Sequence, residues 1–382
     1  MIAHDRHVAA WLLAVIVFLI AFGSLYPFSF SLAGAGALER LGELPRAGTT
    51  RSDVAANVLL YLPLGTCLTW LLGARLGAAA AVAAATLIAA VLSFSIEFAQ
   101  LYETRRVASL ADFTCNTIGA FAGGWLALAI ARTRRHLHSS PFAGLLRHPV
   151  AAALVFSWIG YRLSPFAFVL DPAEWAASLA PLGGGLHPLA ALQHLVAWLV
   201  ILALGERLAP GRAMSIAAGA MGLVLAGRIV FGGLSLETAE IGGMAAALLL
   251  ARPLARLPRE NRAWLLAAAL LLLIAYQGLA PFDFQVAQDR FAFLPFGESL
   301  TQYRAGNLAD MFLRCFTNGA LVWLLAQTGL SVLAATSLGA GCVFAIEVLQ
   351  TWLPGQTAEI TDPLLAVCAG GLAAVFERED AG

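Results

Sequence analysis

Long apolar runs broken by short polar clusters dominate the chain, and the runs have the length of membrane helices. A hydrocarbon core about 30 Å thick is crossed by about 20 residues of α-helix. On that measure twelve spans are expected, near 8–26, 54–72, 77–99, 110–131, 148–164, 187–205, 213–231, 236–252, 262–280, 308–327, 330–350 and 361–376. In lipid every backbone polar group must be satisfied within its own segment or a closed barrel, and runs this long fit helices. The predicted fold class is therefore all-α, a polytopic transmembrane helix bundle of about twelve spans.

The polar positions carry a repeat. Ala10-Trp-Leu-Leu-Ala14 is followed by Leu25-Tyr-Pro-Phe-Ser-Phe30, and Ala263-Trp-Leu-Leu-Ala267 by Leu279-Ala-Pro-Phe-Asp-Phe284. A third echo is Ser164-Pro-Phe-Ala-Phe168. Pro27, Pro165 and Pro281 each end a span, because proline lacks the donor that continues a helical turn and biases its predecessor out of the helix. Glu97, Gln100 and Asp112 recur as Glu347, Gln350 and Asp362, each displaced by 250 positions. Three four-helix units follow, at 1–140, 141–258 and 259–382, and the retained first segment argues against a cleaved signal peptide.

Composition agrees with a membrane setting. Of 382 residues, 60% are hydrophobic and 12% charged, and the mean hydropathy is +0.80, whereas soluble domains carry about 25% charged residues. The 23 basic residues, every one an arginine, balance 23 acidic ones. A neutral chain with no lysine-rich tract does not suit nucleic acid, which needs a concentrated basic surface. Five cysteines without CxxC spacing read as small core residues, and no residue is assigned to a metal or cofactor. Arginines cluster in alternate loops, at Arg132, Arg134, Arg135 and Arg147, at Arg207 and Arg212, and at Arg252, Arg256, Arg259 and Arg262. By the positive-inside rule these loops and both termini face the cytoplasm of a bacterial inner membrane.

Charged groups near membrane helices are costly, about 2.5–3.5 kcal/mol at a helix centre, and mark places where something satisfies or uses them. In the first unit they gather at the predicted outer ends: Asp53 and Asn57, Glu97 and Gln100, Arg105 and Arg106, Asp112 and Asn116. Spacings of three or four put Asn57 with Asp53, Glu97 with Gln100, and Asp112 with Asn116 on shared helix faces. Arg105 or Arg106 is a candidate partner for Glu97 or Asp112. Asp112 suits the positive end of its helix, and Gly119, Gly123 and Gly124 allow close helix approach. The last unit keeps Glu347, Gln350 and Asp362, replaces Asn57 by Asp310 and Asn116 by Ala366, and adds Arg314 four residues beyond Asp310, a spacing for an internal ion pair. The middle unit has lost the Glu-x-x-Gln pair, places Arg228, Glu237 and Glu240 in the comparable region, and reads as a spacer or scaffold.

The run Asn57-Val-Leu-Leu-Tyr-Leu-Pro-Leu-Gly65, with Glu97-x-x-Gln100, Arg105 or Arg106, Asp112, Asn116 and Gly119, resembles the VanZ-like membrane family over residues 9–131, and weakly in the last unit. The resemblance implies a bacterial envelope membrane protein with a link to glycopeptide tolerance, and a signature of Asn57, Glu97, Gln100, Asp112 and Asn116. It implies no reaction. HExxH, Walker-type and GxSxG patterns are missing. Three readings stay open for an outward site made of Asn57, Glu97, Gln100, Arg105, Arg106, Asp112 and Asn116, with a second set at Asp310, Arg314, Glu347, Gln350 and Asp362. One is a factor that binds a lipid-linked or cell-wall-related molecule. Another is a metal-independent enzyme on a lipid-linked substrate with Glu97 or Glu347 as general base. The third is a lipid or small-molecule transporter, against which the lack of polar groups crossing to the opposite end counts. The partners expected are membrane lipid and that ligand.

Overall fold

The computed structural model describes residues 3–26, 28–31, 51–104, 107–137, 143–286, 290–296 and 307–376. Among these residues the fold is helical, with only isolated bridge pairs in place of strands. In order the helices are α1 (Ala3–Leu25), α2 (Arg51–Leu76), α3 (Ala78–Gln100), α4 (Leu110–Leu137), α5 (Ala143–Arg147), α6 (Pro149–Leu163), α7 (Pro172–Leu179), α8 (Pro188–Leu208), α9 (Ala213–Val230), α10 (Thr238–Ala255), α11 (Arg259–Leu279), α12 (Asn307–Ala326), α13 (Val332–Gln350) and α14 (Thr361–Phe376). A 3₁₀ turn, Ala180–Gly183, follows α7. Each of the twelve expected spans falls on a helix, but eight of the described helices are long and apolar enough to cross a membrane. The apolar stretches Ile16–Leu25, Pro149–Leu163 and Thr361–Ala374 are shorter, and α10 does not qualify. The protein is a multi-pass membrane protein in which eight such helices are seen.

Packing divides the chain into two compact units, one holding α1–α4 and the other α5–α14. The helices that the sequence assigns to a middle and a last unit thus share one body, within which α6 packs against α12 and α14, and α8 against α11.

In the amino-terminal unit α2 and α4 make the most extensive contact, and glycines explain why. A β-carbon on Gly65 would lie 1.9 Å from the Ala120 carbonyl oxygen, one on Gly119 2.4 Å from that of Val58, and one on Gly123 2.0 Å from that of Leu62. Small residues let membrane helices approach backbone to backbone, which replaces the hydrophobic drive that lipid cannot supply. Pro63 sits inside α2, and near this break the Thr66 hydroxyl donates to the Gly123 carbonyl across the same contact (3.0 Å). Ile20, Tyr61, Leu64, Ala85, Ala89 and Ala120 fill the unit's core.

The carboxyl-terminal unit has a larger core, built around Trp158, Trp198 and Phe316, with the Trp158 ring 5.0 Å from Phe316 and 6.0 Å from Trp198. Its helix starts carry ordinary signals. Asp171 caps α7 by accepting from the Ala173 N–H (2.9 Å), and Ser331 caps α13 by accepting from the Ala334 N–H (3.2 Å). Large apolar side chains such as Leu87, Leu249, Leu272 and Leu333 point outward from the helices, as expected of a lipid-facing surface.

The Pro-Phe-x-Phe segments adopt the same turn three times. Phe28, Phe166 and Phe282 have φ of 63°, 59° and 66°, a left-handed conformation uncommon outside glycine. Their N–H groups donate to Leu25, Leu163 and Leu279 at 2.8, 3.0 and 2.7 Å. Three residues further on, the N–H groups of Ser31, Val169 and Gln285 donate to Tyr102, Val230 and Trp352. A second bond joins Thr104 to Ser29 and Gly232 to Ala167. At the corresponding third position stands Pro354, which has no N–H to give.

Candidate functional site

The polar groups of the amino-terminal unit collect where α2 begins, α3 ends and α4 begins. The Asn57 amide donates to Asp112 Oδ1 (2.8 Å), joining α2 to α4. One turn along α4, the Asn116 amide donates to the Ser93 hydroxyl on α3 (3.0 Å), with both residues buried. One turn along α3 from Ser93, the buried Glu97 accepts from the Ser109 backbone N–H with Oε2 (2.8 Å), and Ser109 in turn accepts from the Ala111 N–H at the start of α4 (3.2 Å). Gln100 donates to the Ser24 carbonyl near the end of α1 (2.8 Å). Of the expected residues, Asn57, Glu97, Gln100, Asp112 and Asn116 are thus placed at one end of the unit, while Arg105 and Arg106 lie outside the described residues. Among the described residues, the donor seen on Glu97 is the Ser109 backbone amide. A membrane-buried carboxylate needs a donor in place of water, and the first peptide groups before a helix supply one.

Glu97 also lines a cavity. A space of about 250 Å³ is bounded by Glu97, Ser109, Phe94, Phe98, Phe113, Leu101 and Leu110. Its wall is almost wholly apolar, and Glu97 is the ionisable residue behind it. Such a space suits a ligand with an apolar body and one polar group, because the wall rewards the body and the carboxylate fixes a donor.

The same offset seats a different chemistry in the last helices. Glu347, also buried, accepts from the Glu359 N–H with Oε2 (2.9 Å), twelve residues on, as Glu97 does from Ser109. Arg314 donates to Asp310 (2.8 Å), to Glu359 (3.1 Å) and to Asp362 (3.2 Å). The expected ion pair with Asp310 forms, and two carboxylates from beyond α13 join it. Gln350 lies against α11, where a β-carbon on Gly278 would come within 2.8 Å of its amide nitrogen. The Phe296 N–H donates to the buried Thr361 hydroxyl at the start of α14 (2.7 Å).

Sequence reasoning missed Ser93, Ser24, Glu359 and Arg162 as partners. Arg162 is the most consequential. It is buried at the end of α6 and grips Glu240 with Nε (2.9 Å) and Nη2 (2.8 Å), while its guanidinium lies over the Tyr161 ring. Arg228 Nε lies 3.0 Å from Glu240 Oε2, the oxygen that Arg162 Nη2 also meets, and Arg228 donates as well to the carbonyls of Arg162 and Ser235. Glu240 is wholly buried. The signal was present in the numbering, since Arg228 and Glu240 stand 128 positions after Gln100 and Asp112. As Gln100 donates to a carbonyl of α1, so Arg228 donates to one of α6. The region read as a spacer therefore contains a buried ion network. His194, seven residues from His187, is buried beside Trp158, and the described residues contain no cluster of metal-ligating groups.

Residues 9–132 match the family model described as VanZ/LLP1. The amino-terminal unit is VanZ-like. No curated protein and no solved structure matches the chain. The matched segment contains α2, α3, the start of α4 and the whole amide and carboxylate network around Glu97, so the VanZ-like region and the cavity coincide.

Proposed function

We propose that the VanZ-like unit is an envelope factor that binds an amphipathic lipid-linked or cell-wall-related molecule at the outer face of a bacterial inner membrane. The observation that carries this reading is the cavity of about 250 Å³ in which Glu97 and Ser109 meet a wall of Phe94, Phe98 and Phe113. Engagement of Asn57, Gln100, Asp112 and Asn116 by neighbouring groups supports a frame that holds Glu97 in place, with Glu97 as the ligand-facing group. The arginine-bearing loops support an orientation with both termini in the cytoplasm, which puts the cavity outside. The threefold recurrence of the Phe28, Phe166 and Phe282 turn supports descent of all the helices from one four-helix unit.

The test is binding to the full chain in nanodiscs, with a fluorescent polyprenyl-pyrophosphate-linked peptidoglycan precursor and with teicoplanin as the two probes. Saturable binding of either probe, weakened by Glu97→Gln and abolished by the space-filling Leu110→Trp, supports the proposal. Absence of saturation with both probes, or equal binding by a folded Leu110→Trp variant, overturns it. Consumption of the precursor would replace binding by catalysis, and its passage across proteoliposomes would replace it by transport.

A further inference from the structure

At the other end of the carboxyl-terminal unit is a cavity of about 390 Å³ with a different lining. It lies between the last turn of α8, the first turn of α11 and the last turn of α12, so along α12 it is about 20 Å from Asp310, at a rise of about 1.5 Å per residue. Arg207, Arg259, Arg262 and His148 line it, against one carboxylate, Glu206. That carboxylate is already engaged by the Gly211 N–H (3.0 Å). Cationic side chains therefore outnumber anionic ones around a concave space at the end of membrane helices.

Two further observations point to an anion. α11 runs for 21 residues from Arg259 with no side-chain bond from its N-cap residue, Pro258, so its first amides lie beside the arginines, with Glu260 the acidic residue of that turn. Helix amino termini of this kind attract negative charge through their N–H groups and the aligned peptide dipoles. Trp323, 3% exposed, lines the same cavity with an indole N–H that is buried and has no hydrogen-bond partner. A buried donor left unbonded costs about 1–3 kcal/mol, so an acceptor that reached it past the cavity wall would be favoured. Arg259 is held by the Gln327 side chain at the rim, which keeps its guanidinium at the mouth. The floor is apolar, formed by Ala263, Leu266 and Leu324.

We infer that this cavity binds a phosphate-bearing anion, with Arg259 and Arg262 at the mouth and the Trp323 N–H within. Arginines between membrane helices at the cytoplasmic side recognise phosphate head groups, and the apolar floor suits the glycerol end of a phospholipid. A soluble phosphate would meet the same donors, so the experiment separates the two sources. The site lies in the other compact unit from Glu97, and its test is independent of the reading proposed there.

The full chain is placed in nanodiscs of phosphatidylcholine, and separately in nanodiscs doped with phosphatidylglycerol. Retained lipid is read by native mass spectrometry and stability by thermal unfolding. A soluble arm titrates inorganic phosphate and glycerol 3-phosphate into phosphatidylcholine nanodiscs, with chloride as the ionic-strength control. A lipid ligand predicts preferential retention of phosphatidylglycerol. Arg259→Gln with Arg262→Gln then lowers that retention about tenfold or more, as expected for loss of charge-assisted bonds. Trp323→Phe keeps the ring, removes the donor and lowers retention about threefold or more. Stabilisation by the soluble phosphates, equally sensitive to these substitutions, supports the proposal with a soluble ligand. No preference in either arm, or a preference unchanged in both folded variants, overturns it.

Discussion

The position at the start of the fourth helix holds a carboxylate in both compact units, and its company differs. In the VanZ-like unit Asp112 meets the Asn57 amide, a neutral partner. In the carboxyl-terminal unit Glu240 sits between the guanidinium groups of Arg162 and Arg228, and Asp362 shares Arg314 with Asp310 and Glu359. A four-helix frame with recurring turns thus accommodates an amide network or an ion network at corresponding places. The difference separates two ways of keeping polar groups in a membrane: carboxylates and amides met by neutral donors, and buried ions of opposite charge that depend strongly on one another. The cavity lined by Glu97 lies next to the amide network.

The largest effect that tests this contrast is expected at Glu240. Glu240→Ala leaves two buried guanidinium groups without their carboxylate and is expected to destabilise the unit by about 3–5 kcal/mol, read as a fall in unfolding temperature in nanodiscs. Replacing Arg162, Arg228 and Glu240 together by methionines is expected to recover most of that loss, because an apolar set of similar volume has no charge to desolvate. A triple variant no more stable than Glu240→Ala would break the comparison. Next comes Gly123→Ala, whose added carbon meets the Leu62 carbonyl oxygen at 2.0 Å and forces α2 and α4 apart at an expected cost of about 1–3 kcal/mol. Unchanged thermal stability would show that the close approach of these helices contributes nothing. Arg314→Gln removes the guanidinium that pairs with Asp310, Glu359 and Asp362 and is expected to cost about 2 kcal/mol, less than at Glu240 because its side chain is 29% exposed. Here the informative readout is salt: added salt should narrow the gap to wild type by screening the carboxylates. Ser93→Ala, which removes one neutral partner of Asn116, is expected to cost about 1 kcal/mol. A cost at Ser93 as large as that at Glu240 would erase the distinction between the two networks.

Much of the fold was legible along the chain. The apolar runs located the helices, and the 250-residue offset found the matching roles of Glu97 and Glu347 before either was seen to accept a backbone N–H. The pairing of Arg314 with Asp310 followed from a spacing of four on one helix. Partners across the fold were not legible. The Ser109 N–H was not foreseen as a donor to Glu97, because a main-chain amide carries no mark in a sequence. Arg162 went unnoticed because it stands alone at the end of a short helix, and only the fold, which brings the ends of α6 and α9 to Glu240 on α10, makes it the counter-charge of that residue.

The sequence by itself determined an all-helical membrane protein with polar groups confined to helix ends, because hydropathy and helical spacing act over neighbouring residues and lipid leaves few ways to satisfy a backbone. The tertiary structure alone decided that the later helices form one body, that Glu240 is held between two arginines, and that α8, α11 and α12 enclose a basic cavity. Those outcomes rest on contacts between residues tens to more than a hundred positions apart, where close packing and the need to pair every buried charge select one arrangement among many that the linear pattern permits.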